Sequence, residues 1–239
     1  MTGAWRLLET WSVSPEVAMG LDEALLESSD VCPTLRLYTW SPDALSLGYF
    51  QRHADVSRLS EATCVVRRIT GGGAIHHAGE LTWSIAARAD DPLYRGPIPL
   101  GYERVHAVVI EALSGFGIEA HLRRDERLTS ERDGTGMCFH SSTPLDIVWD
   151  GAKGVGSAQR RRGGRVLHHG SIKLSASPME EGVARAPELE PGRLGEALVR
   201  AFEHQLGVTC QRGEPTAEEW SEAERRGARF SSADWVHRR

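Results

Sequence analysis

The chain has 239 residues, 40% of them hydrophobic and 26% charged, so it can bury a full core without disulfide or metal cross-links. Its net charge of -5 argues against non-specific nucleic-acid binding as the main role. The four cysteines include no CxxC pair, which is typical of neither a zinc ribbon nor a disulfide framework. No apolar run is long enough to span a membrane, and residues 1–12 lack the apolar segment of a signal peptide. We therefore expect a cytoplasmic protein.

Apolar periodicity predicts two helices and four strands in the first half of the chain. One helix covers Pro15 to Glu27, where Ser14 can cap the first turn and apolar residues share one face. A second helix covers Tyr102 to Leu113 and ends near two glycines. Short strands are predicted at 35–38, 44–47, 64–69 and 82–87.

The second half of the chain predicts further strands and two more helices. The polar segment Arg123 to Met137 predicts a mobile surface loop. Strands are predicted at 118–122, 146–149, 154–159 and 166–174, with a basic turn at 160–165. An amphipathic helix covers Leu194 to Leu206, and a capping box at Thr216 and Glu219 opens the last helix. These elements predict an α/β (α+β) fold in which a mixed, largely antiparallel sheet is flanked by helices, in one domain over residues 1–239.

Lysine occurs at only two positions, Lys153 and Lys173, and the other basic residues are all arginine. A compositional bias of the source genome is one explanation of this pattern, and a specific role for the lysines is the other. A lysine kept against such a bias can do what arginine cannot, because its ammonium is compact and its pKa can be shifted. We therefore consider Lys153 for a role in chemistry and leave Lys173 open between chemistry and structure.

Three consecutive glycines follow a predicted strand in the segment RRITGGGAIHH, from Arg67 to His77. Glycines let the backbone approach a ligand closely and present N–H groups to an anion. The arginines before them can add charge-assisted hydrogen bonds to a phosphate or carboxylate. A plain tight turn is the alternative, and a P-loop is excluded because no Gly-Lys-Ser/Thr follows.

Two further segments carry residues that are capable of chemistry. Small residues surround Lys153 in the segment Asp150 to Gln159, which leaves space for an elongated ligand unless the lysine is simply a solvated hairpin residue. A lone cysteine such as Cys138 is most often a small buried hydrophobe. It becomes a candidate nucleophile where a lysine or histidine can stabilise its thiolate.

Histidine pairs at 76–77 and 168–169 raise the question of a metal. Adjacent histidines on a strand point to opposite faces, so each pair offers at most one ligand to a site. Zinc bound by His76 or His77 with Cys138 and His169 is the arrangement to consider. Because the spacing matches no metal motif, we expect no metal.

Together and in this order, these segments resemble the lipoate-protein ligase and octanoyltransferase branch of the biotin/lipoyl ligase-type family. The matching segments are GLDEALL at 20–26, SLGYFQ at 46–51, RRITGGGAIHH at 67–77, GAKGVGSAQ at 151–159, HGSI at 169–172 and RFSSADW at 229–235. The resemblance implies a class II synthetase or biotin ligase-like fold, which is compatible with the predicted elements. Biotin ligases themselves are less expected, because their GRGR loop is absent.

The resemblance implies transfer of an octanoyl or lipoyl group to a lysine on a lipoyl domain of a 2-oxoacid dehydrogenase or on the glycine cleavage H protein. Octanoyltransferases take the acyl group from acyl carrier protein through a cysteine and need no cofactor, whereas ligases use ATP and Mg²⁺ to form an acyl-adenylate. Cys138-Phe139, the ELTWS segment from Glu80 and the end of the chain at Arg239 favour the LipM-type octanoyltransferases. The triple glycine favours a ligase. A non-catalytic acyl-binding protein is the third class, which the retained Lys153 disfavours.

The resemblance implies Cys138 as the nucleophile and Lys153 as the residue that contacts the reacting carbonyl. His77 or His169 is expected either to deprotonate the acceptor lysine or to orient loops by hydrogen bonding. The basic turn at 160–165 either meets an acidic partner protein or is an ordinary solvated hairpin, and a monomer is expected. The expected substrate-binding residues are Arg68, Thr70, Gly71, Gly72, Gly73, His77, Gly156, Ser157, Ala158, His169, Gly170 and Ser171.

Overall fold

Two β-sheets packed with helices form the protein, for which a computed structural model describes residues 3–28, 32–60 and 63–239. Residues 1 and 2 of the N-terminal segment therefore lie outside the described residues. The strands are β1 (Ala4–Val13), β2 (Thr34–Trp40), β3 (Ala44–Leu47), β4 (Cys64–Arg67), β5 (Ile75–His77), β6 (Glu80–Arg88), β7 (His121–Leu122), β8 (Ile147–Trp149), β9 (Ala152–Arg162), β10 (Arg165–Lys173) and β11 (Thr209–Gly213). The helices are α1 (Pro15–Glu27), α2 (Ser57–Ser60), α3 (Ile98–Ser114), α4 (Pro191–Leu206), α5 (Ala217–Phe230) and α6 (Ala233–Val236).

The main sheet has eight strands in the order β11-β1-β2-β6-β10-β9-β8-β7, and a small sheet has the order β4-β3-β5. Strand β1 pairs in parallel with β2 and β11, and β3 pairs in parallel with β4. The other pairings are antiparallel, which confirms the predicted mixed, largely antiparallel sheet. The sequence did not predict the division into two sheets, nor strands β1, β5 and β11.

Local capping signals account for the helices that the sequence predicted best. Helix α1 has the predicted bounds, and the Ser14 hydroxyl accepts from the Val17 N–H. The capping box at Thr216 and Glu219 is present at the start of α5. Among the helices in the described ranges, none is long and apolar enough to cross a membrane.

The two faces of the main sheet differ in polarity. On β6, Leu81, Trp83 and Ile85 belong to the large apolar core that also contains residues of α3 and α4. The alternate residues face α1 and the small sheet: Thr82 accepts from the Trp40 indole, and Ser84 donates to Asp22 of α1. Polar side chains are thereby buried between the sheets, where the site lies.

Several predicted boundaries needed correction. The strand expected at 118–122 contains only His121–Leu122. The basic turn expected at 160–165 contains only Gly163 and Gly164, because β9 and β10 continue through the arginines and both glycines adopt positive φ. The segment 123–137 has no helix or strand among its residues, as predicted, but its Ser130 is buried and accepts from the Lys153 N–H.

Candidate active site

The glycine loop after β4 is shaped by the buried Arg68 side chain. Its Nη1 donates to the carbonyl and hydroxyl of Ser46, and its Nη2 donates to the carbonyls of Gly71 and Gly73 at 2.8 and 2.7 Å. Burial lowers the pKa of Arg68 to about 10, so the guanidinium is still charged at neutral pH. Arg68 lines the cavity as expected, and its hydrogen bonds tie the glycine loop to Ser46 of β3.

The backbone conformation and close packing at Gly72, the centre of the glycine loop, require glycine there. Gly72 has a φ of 97°, and a Cβ there would lie 2.9 Å from the Arg68 guanidinium. Within the described ranges, the N–H groups of Gly71, Gly72 and Gly73 donate to no protein acceptor. The loop can therefore present them to a carbonyl oxygen or an anion.

A narrow inner cavity lies between the glycine loop, α1 and the main sheet. Most of the predicted substrate-binding residues line it, namely Arg68, Gly71, Gly72, His77, Gly156, Ser157, Ala158, His169, Gly170 and Ser171. Thr70 does not line it but contacts His169, and Gly73 lines the neighbouring space instead. The sequence missed the lining residues Met19, Tyr38, Trp40, Ser46, Ile75 and Thr82. Met19, Trp40 and Ile75 give the cavity apolar walls that suit an alkyl chain.

Cys138 begins a short 3₁₀ helix, and its sulfur lies 3.6 Å from the Nζ of Lys153 on β9. The ammonium also donates to the carbonyls of Cys138 and Ser141 at 2.9 and 3.0 Å and pairs with Asp146 at 2.9 Å. Burial alone would lower the pKa of Lys153, but the charges of Cys138 and Asp146 outweigh it and raise the pKa. A charged ammonium beside the sulfur stabilises a thiolate there.

Cys138 lies where the inner cavity meets a wider outer cavity. Gly72 and Ser157 also line both spaces, and Lys153 lines the outer one. The remaining outer lining residues are Gly73, Tyr102, His106, Ser141, Thr143, Leu145 and Asp146. The outer end of a ligand in the inner cavity would therefore lie near Cys138.

His77 and His169 both have their two ring nitrogens engaged. His77 contacts Glu80 at 2.5 Å and Ser46 at 2.7 Å, and its ring stacks on Trp40. Burial lowers the pKa of His77 to about 4. His169 likewise contacts Asp22 and Thr70 at 3.0 and 2.7 Å. These bonds favour the alternative in which the histidines orient the surrounding loops.

Lys173 is fully buried in a network of charges beneath the cavity. Its Nζ contacts Glu80 at 2.7 Å and Glu180 at 2.6 Å and donates to the His76 carbonyl. Glu80 in turn accepts from Ser171, a cavity-lining residue. Lys173 does not line either cavity, so its contacts indicate a structural role.

The arrangement considered for zinc is not formed. Within the part of the chain that the structure describes, no group of three or more histidine, cysteine, aspartate or glutamate side chains could hold a metal ion. The ring nitrogens of His77 and His169 are committed to the protein partners described above, and His76 Nδ1 contacts Ser177.

Sequence reasoning missed Asp146 and His106, which have no local motif. Asp146 directly precedes β8 and meets Lys153 because β8 pairs antiparallel with β9, where Val148 lies opposite Lys153. Asp22 and Glu80 lay within segments that matched the family, yet their role as buried acceptors was not foreseen. Each accepts hydrogen bonds from several side chains around the cavity.

Residues 14–186 match the family of the lipoyl protein ligase A/B catalytic domain, so the chain belongs to this family. It is 34% identical to the octanoyltransferase LipM of Moorella thermoacetica, with 98% of each chain covered. It is also 34% identical to the octanoyltransferase LipM of Kyrpidia tusciae, with 98% of this chain and 99% of that protein covered.

Solved structures confirm the fold class. A T. acidophilum protein with bound lipoic acid has a TM-score of 0.80 at 23% identity, with both chains fully covered. A lipoate-protein ligase A bound with ATP has a TM-score of 0.79 at 23% identity, with 99% of both chains covered. A biotin acetyl coenzyme A carboxylase synthetase from Helicobacter pylori has a TM-score of 0.50 at 12% identity, covering 85% of this chain and 75% of that one.

Proposed function

We propose that this protein is an octanoyltransferase of protein lipoylation. It moves an octanoyl group, or a lipoyl group, from a carrier-protein thioester to a lysine of a lipoyl domain or of the H protein. The observation that carries the proposal is the position of Cys138, whose sulfur lies 3.6 Å from Lys153 Nζ where the inner and outer cavities meet.

The first step loads the enzyme. The Cys138 thiolate attacks the thioester carbonyl, a new carbon–sulfur bond forms, and the donor thiol leaves as a thiolate that takes a proton. The alkyl chain occupies the inner cavity, whose walls include Met19 and Ile75. The N–H groups of the glycine loop are the donors available to the oxyanion. The three N–H groups of Lys153 are held by Cys138, Ser141 and Asp146, so this residue contributes its positive charge.

The second step transfers the acyl group to the acceptor. A lysine amine enters through the outer cavity and attacks the thioester carbonyl, so that a carbon–nitrogen bond forms and the Cys138 sulfur leaves as a thiolate. The nitrogen loses one proton, which the released sulfur takes. The thioester is already an activated acyl group, so the reaction needs neither ATP nor Mg²⁺.

An ATP-dependent lipoate-protein ligase is the alternative, and the triple glycine at 71–73 favours it. In that reaction Arg68 would be expected to bind phosphate. Its Nη1 and Nη2 donors instead hold Ser46, Gly71 and Gly73, which supports the transferase. Phosphate could bind Nη1 or Nη2 only if these hydrogen bonds, two of them buried, were broken.

The protein partners approach the mouth of the site, beside the glycine loop. There Arg160 and Arg238 stack on the Tyr49 ring, and Tyr49 N–H donates to the Thr70 carbonyl of the loop. Neither guanidinium has a carboxylate within salt-bridge distance in the described chain. Positive charge at this edge would steer acidic carrier proteins or lipoyl domains towards Cys138 in the cytoplasm.

The test is octanoylation of a purified lipoyl domain by octanoyl-carrier protein, in the presence of a chelator and without ATP. The wild type is expected to modify the domain, and Cys138→Ala is expected not to. Cys210→Ala is the matched control, because Cys210 lies on β11 and lines neither cavity. Full transfer by Cys138→Ala, or a requirement for ATP, Mg²⁺ and free lipoate, would show the proposal to be wrong.

A further inference from the structure

The hydroxyl of Ser157 is held by two buried histidines at the junction of the cavities. Its Oγ lies 2.7 Å from His106 Nε2 and 3.2 Å from His168 Nε2, and both rings are fully buried. Ser157 lines the inner and the outer cavity, as Cys138 does. The directions of these two hydrogen bonds determine what the hydroxyl can offer to a ligand.

The direction of the bond to His106 follows from its other ring nitrogen. Nδ1 of His106 lies 2.6 Å from the carbonyl oxygen of Leu145. A carbonyl can only accept, so Nδ1 must carry the proton. In a neutral imidazole Nε2 then has a lone pair, and it accepts the hydroxyl proton of Ser157.

The direction of the bond to His168 follows in the same way. Nδ1 of His168 lies 3.3 Å from the amide nitrogen of Gln159, whose amide oxygen accepts from Arg161. The amide nitrogen can only donate, so Nδ1 of His168 accepts and Nε2 carries the proton. His168 therefore donates to the Ser157 oxygen.

Both imidazoles are neutral in the folded protein. Burial lowers the pKa of His106 to about 4 and lowers that of His168 well below its ordinary value. The rings of Trp83 and Tyr102 pack edge-on against His168 at 5.0 and 4.7 Å. The tautomers deduced above are thus the states present at neutral pH.

We infer that Ser157 positions the lysine amine that attacks the Cys138 thioester. The Ser157 hydroxyl donates its proton to His106 and accepts from His168 with one lone pair. Its remaining lone pair can therefore only accept a hydrogen bond. An oxyanion needs donors, whereas an attacking amine has an N–H to donate while its own lone pair points at the carbonyl carbon. His106 acts through Ser157 and is a positioning residue.

This inference rests on the proposed function, and the two half-reactions test it separately. Loading is followed by intact mass with octanoyl-carrier protein, and transfer by mixing the isolated acyl-enzyme with a lipoyl domain. Ser157→Ala is expected to slow transfer about 10- to 100-fold and to change loading less than about threefold, because only transfer uses the amine. His106→Phe, which keeps a ring but removes the acceptor nitrogen, is expected to slow the same step.

A double variant and a control complete the test. Because His106 acts through Ser157, the double variant Ser157→Ala/His106→Phe is expected to be no slower in transfer than Ser157→Ala alone. Ser114→Ala removes an exposed hydroxyl from the same helix as His106 and is expected to change neither step. Equal slowing of loading and transfer by Ser157→Ala, or no effect on transfer, would overturn the inference. Absence of any acyl-enzyme in the wild type would overturn the proposed function itself.

Discussion

Lys153 Nζ lies 3.6 Å from Cys138 Sγ and donates to the Cys138 carbonyl as well, so the two residues are fixed to each other through both side chain and backbone. Asp146 completes the arrangement by pairing with the ammonium at 2.9 Å. The charge that stabilises a thiolate is thus held in place before any substrate binds.

Replacing each of the two lysines by methionine is expected to affect a different property, the loading rate for Lys153 and the free energy of unfolding for Lys173. Lys153→Met removes the charge beside the nucleophile, and we expect loading of Cys138 to slow about 10²- to 10³-fold. Lys173→Met leaves Glu80 and Glu180 buried without a cation, and we expect a loss of about 3–5 kcal/mol in the free energy of unfolding. Denaturant unfolding measures the loss of stability, and the loading rate per folded molecule measures the loss of chemistry. The two measurements together distinguish Lys153→Met from Lys173→Met. Comparable loading rates for both variants would contradict the assignment.

The close packing of Cys138 and Lys153 requires glycine at position 156. A Cβ there would lie 3.2 Å from Lys153 Cε and 3.4 Å from Cys138 Sγ. We expect Gly156→Ala to slow loading about tenfold or more, because an added methyl presses on both side chains.

The matched control for that variant is Gly192→Ala, at the start of α4, where an added Cβ would meet no atom within 4 Å. Steady-state transfer rates and circular dichroism of both variants provide the measurement. If Gly156→Ala kept the wild-type rate in a folded protein, the close packing of Cys138 and Lys153 would not matter for the reaction.

The parts of the fold that depend on local chemistry could be predicted from the sequence, and those that depend on distant pairing could not. Helix α1 was predicted to the residue because Ser14, Pro15 and the apolar period all act within a few residues. Two strands of the small sheet were predicted, but its separation from the main sheet was missed, because β5 has only three residues, all buried, and pairs with a strand about thirty positions earlier. Strands this short carry no period to detect.

The same division applies to the site. Cys138, Lys153 and the glycine loop stand in segments that resemble the family, and the structure brings them together. Asp146 reaches the site through the pairing of β8 with β9, and His106 reaches it from α3 through its contact with Ser157. No motif in the sequence indicates either contact. The sequence suggested that Arg68 binds an anion and did not indicate that its guanidinium donates to the carbonyls of Ser46, Gly71 and Gly73.

Arg68 is expected to be needed for its geometry as well as its charge. Lysine keeps the charge but cannot donate in a fork to Ser46, Gly71 and Gly73 at once. We expect Arg68→Lys to lower the free energy of unfolding by about 1–3 kcal/mol and to raise KM for the acyl donor. Thermal unfolding and donor titrations check this, and an unchanged KM would argue that the glycine loop keeps its shape without Arg68.

Acid is expected to destabilise the protein through its buried histidines. Burial lowers the pKa of His77 to about 4, whereas an unfolded histidine has a pKa of about 6.5. Between these values only the unfolded chain binds the proton, so the free energy of unfolding falls as pH falls from about 6.5 towards 4. We expect His77→Gln to lose less stability than the wild type between pH 7 and 5, by about 2 kcal/mol.

His121→Gln is the control for the acid titration. His121 is exposed, and its hydrogen bond to Glu126 raises its pKa. Its contribution to the pH dependence of the free energy of unfolding is therefore small and opposite in sign to that of His77. Urea unfolding at several pH values provides the measurement. An identical pH dependence in the wild type and His77→Gln would contradict a neutral, buried His77.

The acyl-enzyme itself is the most direct test of the account. The protein is incubated with octanoyl-carrier protein without ATP, and its intact mass is measured before and after. A gain of one octanoyl group that is lost in Cys138→Ser is the predicted result. No adduct on the wild type, combined with modification of a lipoyl domain only when ATP, Mg²⁺ and lipoate are supplied, would contradict it and make Cys138 a packing residue.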